Sequence, residues 1–198
     1  FRAKAAKKQA AVYFADQLVK TNYPTSLKGA CQVHNVRTVL QTVAVLNTGA
    51  FTISIPALQA GLLKVVENTG LRGRWEVLGT APKIICDTAH NKEGLGLALK
   101  QLQDEKFKNL HIVLGVVNDK DISSLIELFP KNSLYYFCKP DIPRGLSADK
   151  LALFFKHSSF KGTVYGSVSE AFRAAKHKAY IDDLIYIGGS TFVVAEVL

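Results

Sequence analysis

The chain has 198 residues, 48% of them apolar, and carries 25 Lys and Arg against 16 Asp and Glu, for a formal net charge of +9. That length gives one sizeable domain, or one domain with a piece of another, and the apolar share excludes a chain too polar to fold. No apolar run approaches the roughly eighteen residues of a bilayer span, the basic, alanine-rich start lacks a secretory core, and the odd, widely spaced cysteines Cys31, Cys86 and Cys138 suit reduced thiols, so a cytoplasmic protein with no membrane partner is expected.

In chain order, residues 2–19 carry Ala3, Ala6, Ala10, Phe14 and Leu18 roughly on one side, which predicts an amphipathic surface helix. Pro24 to Gly29 breaks the pattern. Asn35 to Leu46 resumes it with Val36, Val39, Leu40 and Val43, and Asn47-Thr48-Gly49 supplies a stop. A third helix is predicted from Pro56 to Asn68-Thr69-Gly70, with Ser54 as its N-cap. The summed apolar faces of these helices look incomplete for an independent fold, and a boundary falls near Gly70.

After Gly70 short β-rich runs alternate with helical patterns. Strands are predicted at Trp75–Leu78, Lys83–Cys86, Leu110–Val117, Leu134–Cys138, Thr163–Tyr165 and Leu184–Ile187. Helices are predicted over Lys92–Lys106, around Ile122–Phe129, from Ser147, from the capping-box spacing Ser167 to Glu170, and from Thr191. This alternation predicts an α/β fold with a mostly parallel sheet and helices on both faces.

Three polar turns then fall on one edge of that sheet. Asp87-Thr88-Ala89-His90-Asn91 follows the second predicted strand, Asn118-Asp119-Lys120-Asp121 the third, and Gly188-Gly189-Ser190 the last. Ligands of open α/β sheets bind at that carboxyl edge. Singly, each turn also reads as plain helix capping or a solvated loop. A nucleotide or a substrate with several carboxylates suits the positive charge. Nucleic acid is not expected, because the basic residues are dispersed and lack interleaved aromatics.

The order Gln32-x-x-Asn35, Gly73-Arg74, Asp87-x-Ala89-His90-Asn91, Gly115-x-x-x-Asp119-Lys120-Asp121, Pro143-Arg144 and Gly189-Ser190 closely resembles the C-terminal portion of folylpolyglutamate synthase, often bifunctional with dihydrofolate synthase, in the Mur ligase superfamily. The resemblance spans roughly residues 27–198. It implies that residues 1–70 are the last helices and linker of a central ATPase domain, and that 71–198 form the C-terminal Rossmann-like domain. It also implies ATP as cofactor with Mg2+, folate or dihydropteroate and L-glutamate as substrates, the N-terminal ATPase domain of the same protein as partner, and a monomer.

In such enzymes a folate or pteroate carboxyl is phosphorylated by ATP, and the amine of L-glutamate then displaces the phosphate. By motif, Asn35, Arg74 and Asp87 contact ATP, while His90 and Ser190 form the glutamate side of the cleft. Asp119, Lys120 and Arg144 rank second. The chain lacks the G-x-x-x-x-G-K-[ST] phosphate loop, and it contains no methionine. A fragment that is inactive alone, with its metal ligands in the missing part, is therefore expected. Alternatives are the C-terminal domain of a peptidoglycan-type Mur ligase, which usually shows an Asp-Asn-Pro-Arg type turn instead, or a non-enzymatic nucleotide- or anion-binding α/β module. At Asp87, substitution by Asn is expected to leave the fold nearly untouched.

Overall fold

The computed structural model describes residues 1–119 and 121–198, and the chain divides into two compact units. Lys120 lies outside the described residues.

The first unit comprises residues 1–27 and 31–70 and is helical. Its opening segment is not one helix: α1 (Arg2–Lys8) ends at Gln9 in the left-handed conformation, and a separate turn, α2, covers Ala15–Leu18. Neither piece buries a residue, so no apolar face holds a continuous helix against the cost of nucleating it. Instead the chain bends so that the Arg2 guanidinium stands 4.4 Å from the centre of the Phe14 ring. The α3 helix (Gln32–Leu46) follows the apolar periodicity.

The predicted third helix is interrupted. It forms α4 (Ile55–Leu63), capped by Ser54 accepting from the Ala57 N–H, and α5 (Val65–Thr69), closed by Gly70 at φ 66°. At the break Ser26 inserts, its N–H donating to the Leu62 carbonyl at 3.0 Å and its hydroxyl accepting from the Val65 N–H at 3.1 Å. No periodicity in residues 55–69 announces that insertion, because the partner lies 39 residues upstream.

The second unit comprises residues 28–30 and 71–198. Its strands are β1 (Glu76–Thr80), β2 (Lys83–Cys86), β3 (Leu110–Leu114), β4 (Leu134–Phe137), β5 (Gly162–Val164) and β6 (Leu184–Gly188). The helices between them are α6 (Lys92–Leu102), α7 (Ile122–Ile126), α8 (Ala148–His157) and α9 (Val168–Lys178), with α10 (Thr191–Ala195) after β6. The sheet runs β1-β2-β6-β3-β4-β5; β1 pairs antiparallel with β2 and every other pairing is parallel.

Helices cover both faces. Leu95, Leu99 and Leu102 of α6, Leu125 of α7, and Leu151 and Phe155 of α8 pack against Ile85, Ile112, Leu114 and Tyr186 on one side. Val168, Ala171 and Ala175 of α9 and Val193 and Val194 of α10 pack against Ile84, Val113, Tyr136 and Ile185 on the other. The central strands β3 and β6 are buried along their whole length, which is why they read as continuous apolar runs rather than alternating ones. His111 brings a ring into this sheet, and its nitrogens meet the Tyr136 hydroxyl at 2.9 Å and Asp183 Oδ2 at 3.3 Å.

Candidate functional site

The turns after β2, β3, β4 and β6 all open on the carboxyl edge of the sheet, because those strands run parallel. Asp87 follows β2 directly and is only 7% exposed. Its Oδ1 accepts the Ala89 N–H at 2.8 Å and its Oδ2 accepts the Trp75 N–H at 2.8 Å. Burial pushes its carboxyl above the ordinary range, while the two N–H groups and the nearby Arg74 charge push back. The strand-end position is therefore not a solvated one, and an Asn there would turn a donor toward one of these two N–H groups, that of Trp75 buried and that of Ala89 half-buried. The expectation that such a change leaves the fold untouched is corrected on that ground.

The segment that Asp87 holds is strained. Gly73 has φ 71° and Trp75 has φ 52°, a conformation costly for a bulky residue. A Cβ at Gly73 would come within 2.7 Å of Val194 Cγ1 and 2.9 Å of Thr88 Cγ2. The Gly73 carbonyl accepts the Thr88 N–H at 2.9 Å. Arg74, exposed, projects from between these two left-handed residues. Beneath lies Tyr186, whose ring centre is 6.4 Å from that of Trp75; its hydroxyl and Thr88 Oγ1 are buried with no hydrogen-bond partner.

His90 and Ser190 line one pocket of about 300 Å³, shared with Val117, Asp119, Arg144 and Phe192. His90 Nδ1 lies 3.0 Å from the Thr88 carbonyl. A carbonyl can only accept, so Nδ1 carries a hydrogen, and in the neutral tautomer the lone pair lies on Nε2. Asn91 caps α6 by accepting the Gly94 N–H at 2.8 Å, which fixes the turn that carries His90. Ser190, 2% exposed, caps α10 by accepting the Phe192 N–H at 3.2 Å. It follows Gly189, whose φ of 90° and contacts with Leu114 and Gly115 leave no room for a side chain.

Two residues ranked second on sequence grounds stand beside them. Arg144 Nη1 lies 3.7 Å from Asp119 Oδ2, and its guanidinium is 5.1 Å from the centre of the Phe192 ring. Phe192 was missed altogether; its signal was its position two residues past the Gly189-Ser190 turn. Asn35 belongs to the first unit, where it is exposed on α3 and donates to Gln32 Oε1 at 3.0 Å. Buried Cys86 and Cys138, with thiols pushed up to about 12 chiefly by desolvation, are not nucleophiles. Among the described residues no three His, Cys, Asp or Glu side chains converge to hold a metal ion. No described helix is long and apolar enough to cross a membrane.

In open α/β sheets small polar ligands bind at the carboxyl edge, and it is on that edge that these polar turns converge. The chain belongs to the Mur ligase family: residues 73–191 match the model of the Mur ligase glutamate ligase domain. Among curated relatives, a probable bifunctional folylpolyglutamate synthase/dihydropteroate synthase of Haloferax volcanii is 32% identical over 73% of this chain and 17% of that protein. A dihydrofolate synthase/folylpolyglutamate synthase of Escherichia coli is 29% identical over 79% of this chain and 36% of that protein. The ligand-free bifunctional folylpolyglutamate synthase/dihydrofolate synthase of Yersinia pestis superimposes with a TM-score of 0.71 at 27% identity, covering 88% of this chain and 40% of that one. A bifunctional enzyme of the same name, solved with Mn, AMPPNP and L-glutamate bound, gives 0.70 at 26% identity, covering 89% and 40%. The chain thus spans well under half the length of these relatives.

Proposed function

We propose that this chain is the amino-acid-binding part of an ATP-dependent, ADP-forming ligase that joins L-glutamate to the carboxyl of a folate or dihydropteroate through an acyl phosphate. The observation that carries the reading is the pocket in which His90, with Nδ1 tied to the Thr88 carbonyl and Nε2 left as an acceptor, faces the same space as Ser190. An amino acid arrives as an ammonium and must lose a proton before its nitrogen can attack; a lone pair on Nε2 beside the pocket can take that proton. The nitrogen then bonds to the acyl carbon and the phosphate leaves with the electrons of the C–O bond.

Arg74 serves the phosphates of ATP, and Asp87 acts on it as a positioning residue through the Trp75 N–H. Asn35 serves the base side. ATP, when bound, supplies the phosphoryl group; the magnesium that accompanies it takes its ligands from an N-terminal ATPase domain of the same protein, which also closes the site to water. In this reading the 198-residue chain alone is inactive, the protein is a monomer, and it works in the cytoplasm, where the Cys86 and Cys138 thiols stay reduced.

The test incubates the longer protein, ATPase domain included, with ATP, Mg2+, L-glutamate and either dihydropteroate or tetrahydrofolate. Release of ADP that requires both glutamate and the folate is the expected result, with His90→Gln slowing amide formation at saturating glutamate. Full-rate turnover by the isolated chain, or turnover indifferent to glutamate, would overturn the proposal.

A further inference from the structure

At the amino edge of the sheet, opposite the carboxyl-edge turns, a cavity of about 950 Å³ opens between α9 and the starts of β3, β4 and β6. Its floor is a buried network. Asp183, 2% exposed, meets His111 and also accepts the Asn109 N–H at 3.0 Å, the Asn109 side-chain amide at 2.9 Å and the Tyr180 N–H at 2.8 Å. These bonds fix the two loops that frame the cavity, one entering β3 and the other entering β6. Its wall is aromatic. The His111 and Tyr136 rings stand 5.8 Å apart and 29° from parallel, and Tyr136 and Tyr165 stand 5.7 Å apart and 23° from parallel. His111 and Tyr165, at the two ends of that row, both line the cavity.

The rim is cationic, because Arg173, His177 and Lys178 of α9 all line the opening. The acids beside them are already engaged: Asp183 in the floor network, and Glu170 with the Gly166 N–H at 3.0 Å. Among the described residues neither Arg173 nor Lys178 pairs with a carboxylate. We propose that this cavity is a second ligand site, which takes a small molecule made of a flat ring and a phosphate, the phosphate at Arg173, Lys178 and His177 and the ring against Tyr165 and Leu134. A dianion matches two standing cations, and a guanidinium can bind two phosphate oxygens in parallel. The Asp183 charge below repels the phosphate, which keeps it at the rim and leaves the depth of the cavity to the ring. The volume falls within the roughly 300–1,000 Å³ of pockets that hold small molecules. This site is separate from the amino-acid pocket: Asp183 precedes β6 and Gly189-Ser190 follows it, so the five residues of that strand, about 16 Å, lie between them.

The experiment titrates the 198-residue chain with phenyl phosphate, and separately with inorganic phosphate, phenol and benzoate, following backbone amides by NMR. Phenyl phosphate is expected to shift the Tyr165, Ala174 and Lys178 amides, to leave those of His90 and Ser190 in place, and to bind about fivefold or more tighter than each of the other three. Arg173→Gln and Lys178→Gln, both at exposed positions, should each weaken it about two- to fivefold without moving the unfolding midpoint. Tyr165→Leu should abolish the preference for phenyl phosphate over inorganic phosphate while inorganic phosphate still binds; if that variant does not fold, the two glutamine variants decide alone. Phenyl phosphate binding no tighter than inorganic phosphate or benzoate, shifts confined to other parts of the chain, or unchanged affinity in both glutamine variants overturns the proposal.

Discussion

Asp87 Oδ2 and the Trp75 N–H are joined at 2.8 Å across twelve residues of chain, and that single bond pins a tryptophan whose φ is 52°. The carboxylate accepts the Ala89 N–H with its other oxygen, so both sides of the turn depend on it. Asp87→Asn keeps one acceptor and turns an NH2 toward the other N–H. We expect a loss of about 1–3 kcal/mol, the cost of a buried donor left unpaired. Urea unfolding of the 198-residue chain measures it, and an unchanged midpoint would show that the bond does not hold Trp75.

Gly189→Ala is expected to be among the most damaging single-methyl changes in the second unit. The residue has φ 90°, and its Cβ would lie 2.5 Å from Leu114 Cδ1 and 2.8 Å from the Gly115 carbonyl. Strain of that kind costs about 1–3 kcal/mol before any repacking. Because Ser190 follows directly and caps Phe192, the amide shifts of both should move with the loss of stability; an unchanged unfolding midpoint would show that the turn absorbs the methyl.

Tyr186→Phe runs the other way. The Tyr186 hydroxyl is buried with no hydrogen-bond partner, and burial raises its ionisation well above the ordinary phenol range. Removing the oxygen removes a desolvated polar atom and leaves the ring's packing intact, so the thermal midpoint should hold or rise. A clear drop would mean that the hydroxyl does make a stabilising bond.

Acid should weaken the second unit through His111. Burial, assisted by Lys178, lowers its ring below the ordinary value of 6.5 despite Asp183, so the folded state prefers the neutral ring. Asp183 is also lowered: burial opposes this, but hydrogen bonds from Tyr180, Asn109 and His111 outweigh it. For groups with depressed folded values, stability is present above the unfolded value and is lost as pH falls through the folded one. The His111 part of the loss therefore begins as pH falls through 6.5, and the Asp183 part begins below 3.8. Asp87, whose value is raised, works with the opposite sign. His111→Gln should flatten the loss of unfolding free energy that sets in below pH 6.5, even if the variant is less stable at neutral pH; an unchanged slope would remove His111 as the cause.

Periodicity carried most of the second unit. The alternation of patterns from Lys83 to Ile187 marked five of the strands and their covering helices to within a few residues, because β3 and β6 are apolar on both faces and α6, α8 and α9 keep a clean inner stripe. What it could not carry was long-range pairing. Nothing local says that β6 slots between β2 and β3, that Ser26 interrupts the helix at Lys64, or that the Trp75 N–H will choose Asp87. The site shows the same division. His90 and Ser190 were legible because each sits on a turn after a strand, and their shared pocket follows from parallel pairing. Phe192 and its contact with Arg144 were not, since a cation over a ring is a tertiary contact between segments 48 residues apart.

The position of β6 also governs how the molecule comes into being on the ribosome. Residues 76–86 can pair as a hairpin and 110–164 can assemble β3, β4 and β5 as soon as they emerge, but these two half-sheets are not neighbours. Each presents an open edge, that of β2 on one side and β3 on the other, until Leu184–Gly188 arrives to join them. Nascent chains that stall before that point expose long apolar edges of the kind that pair with other chains. Of these six strands the last to be synthesised is thus the keystone that closes both edges.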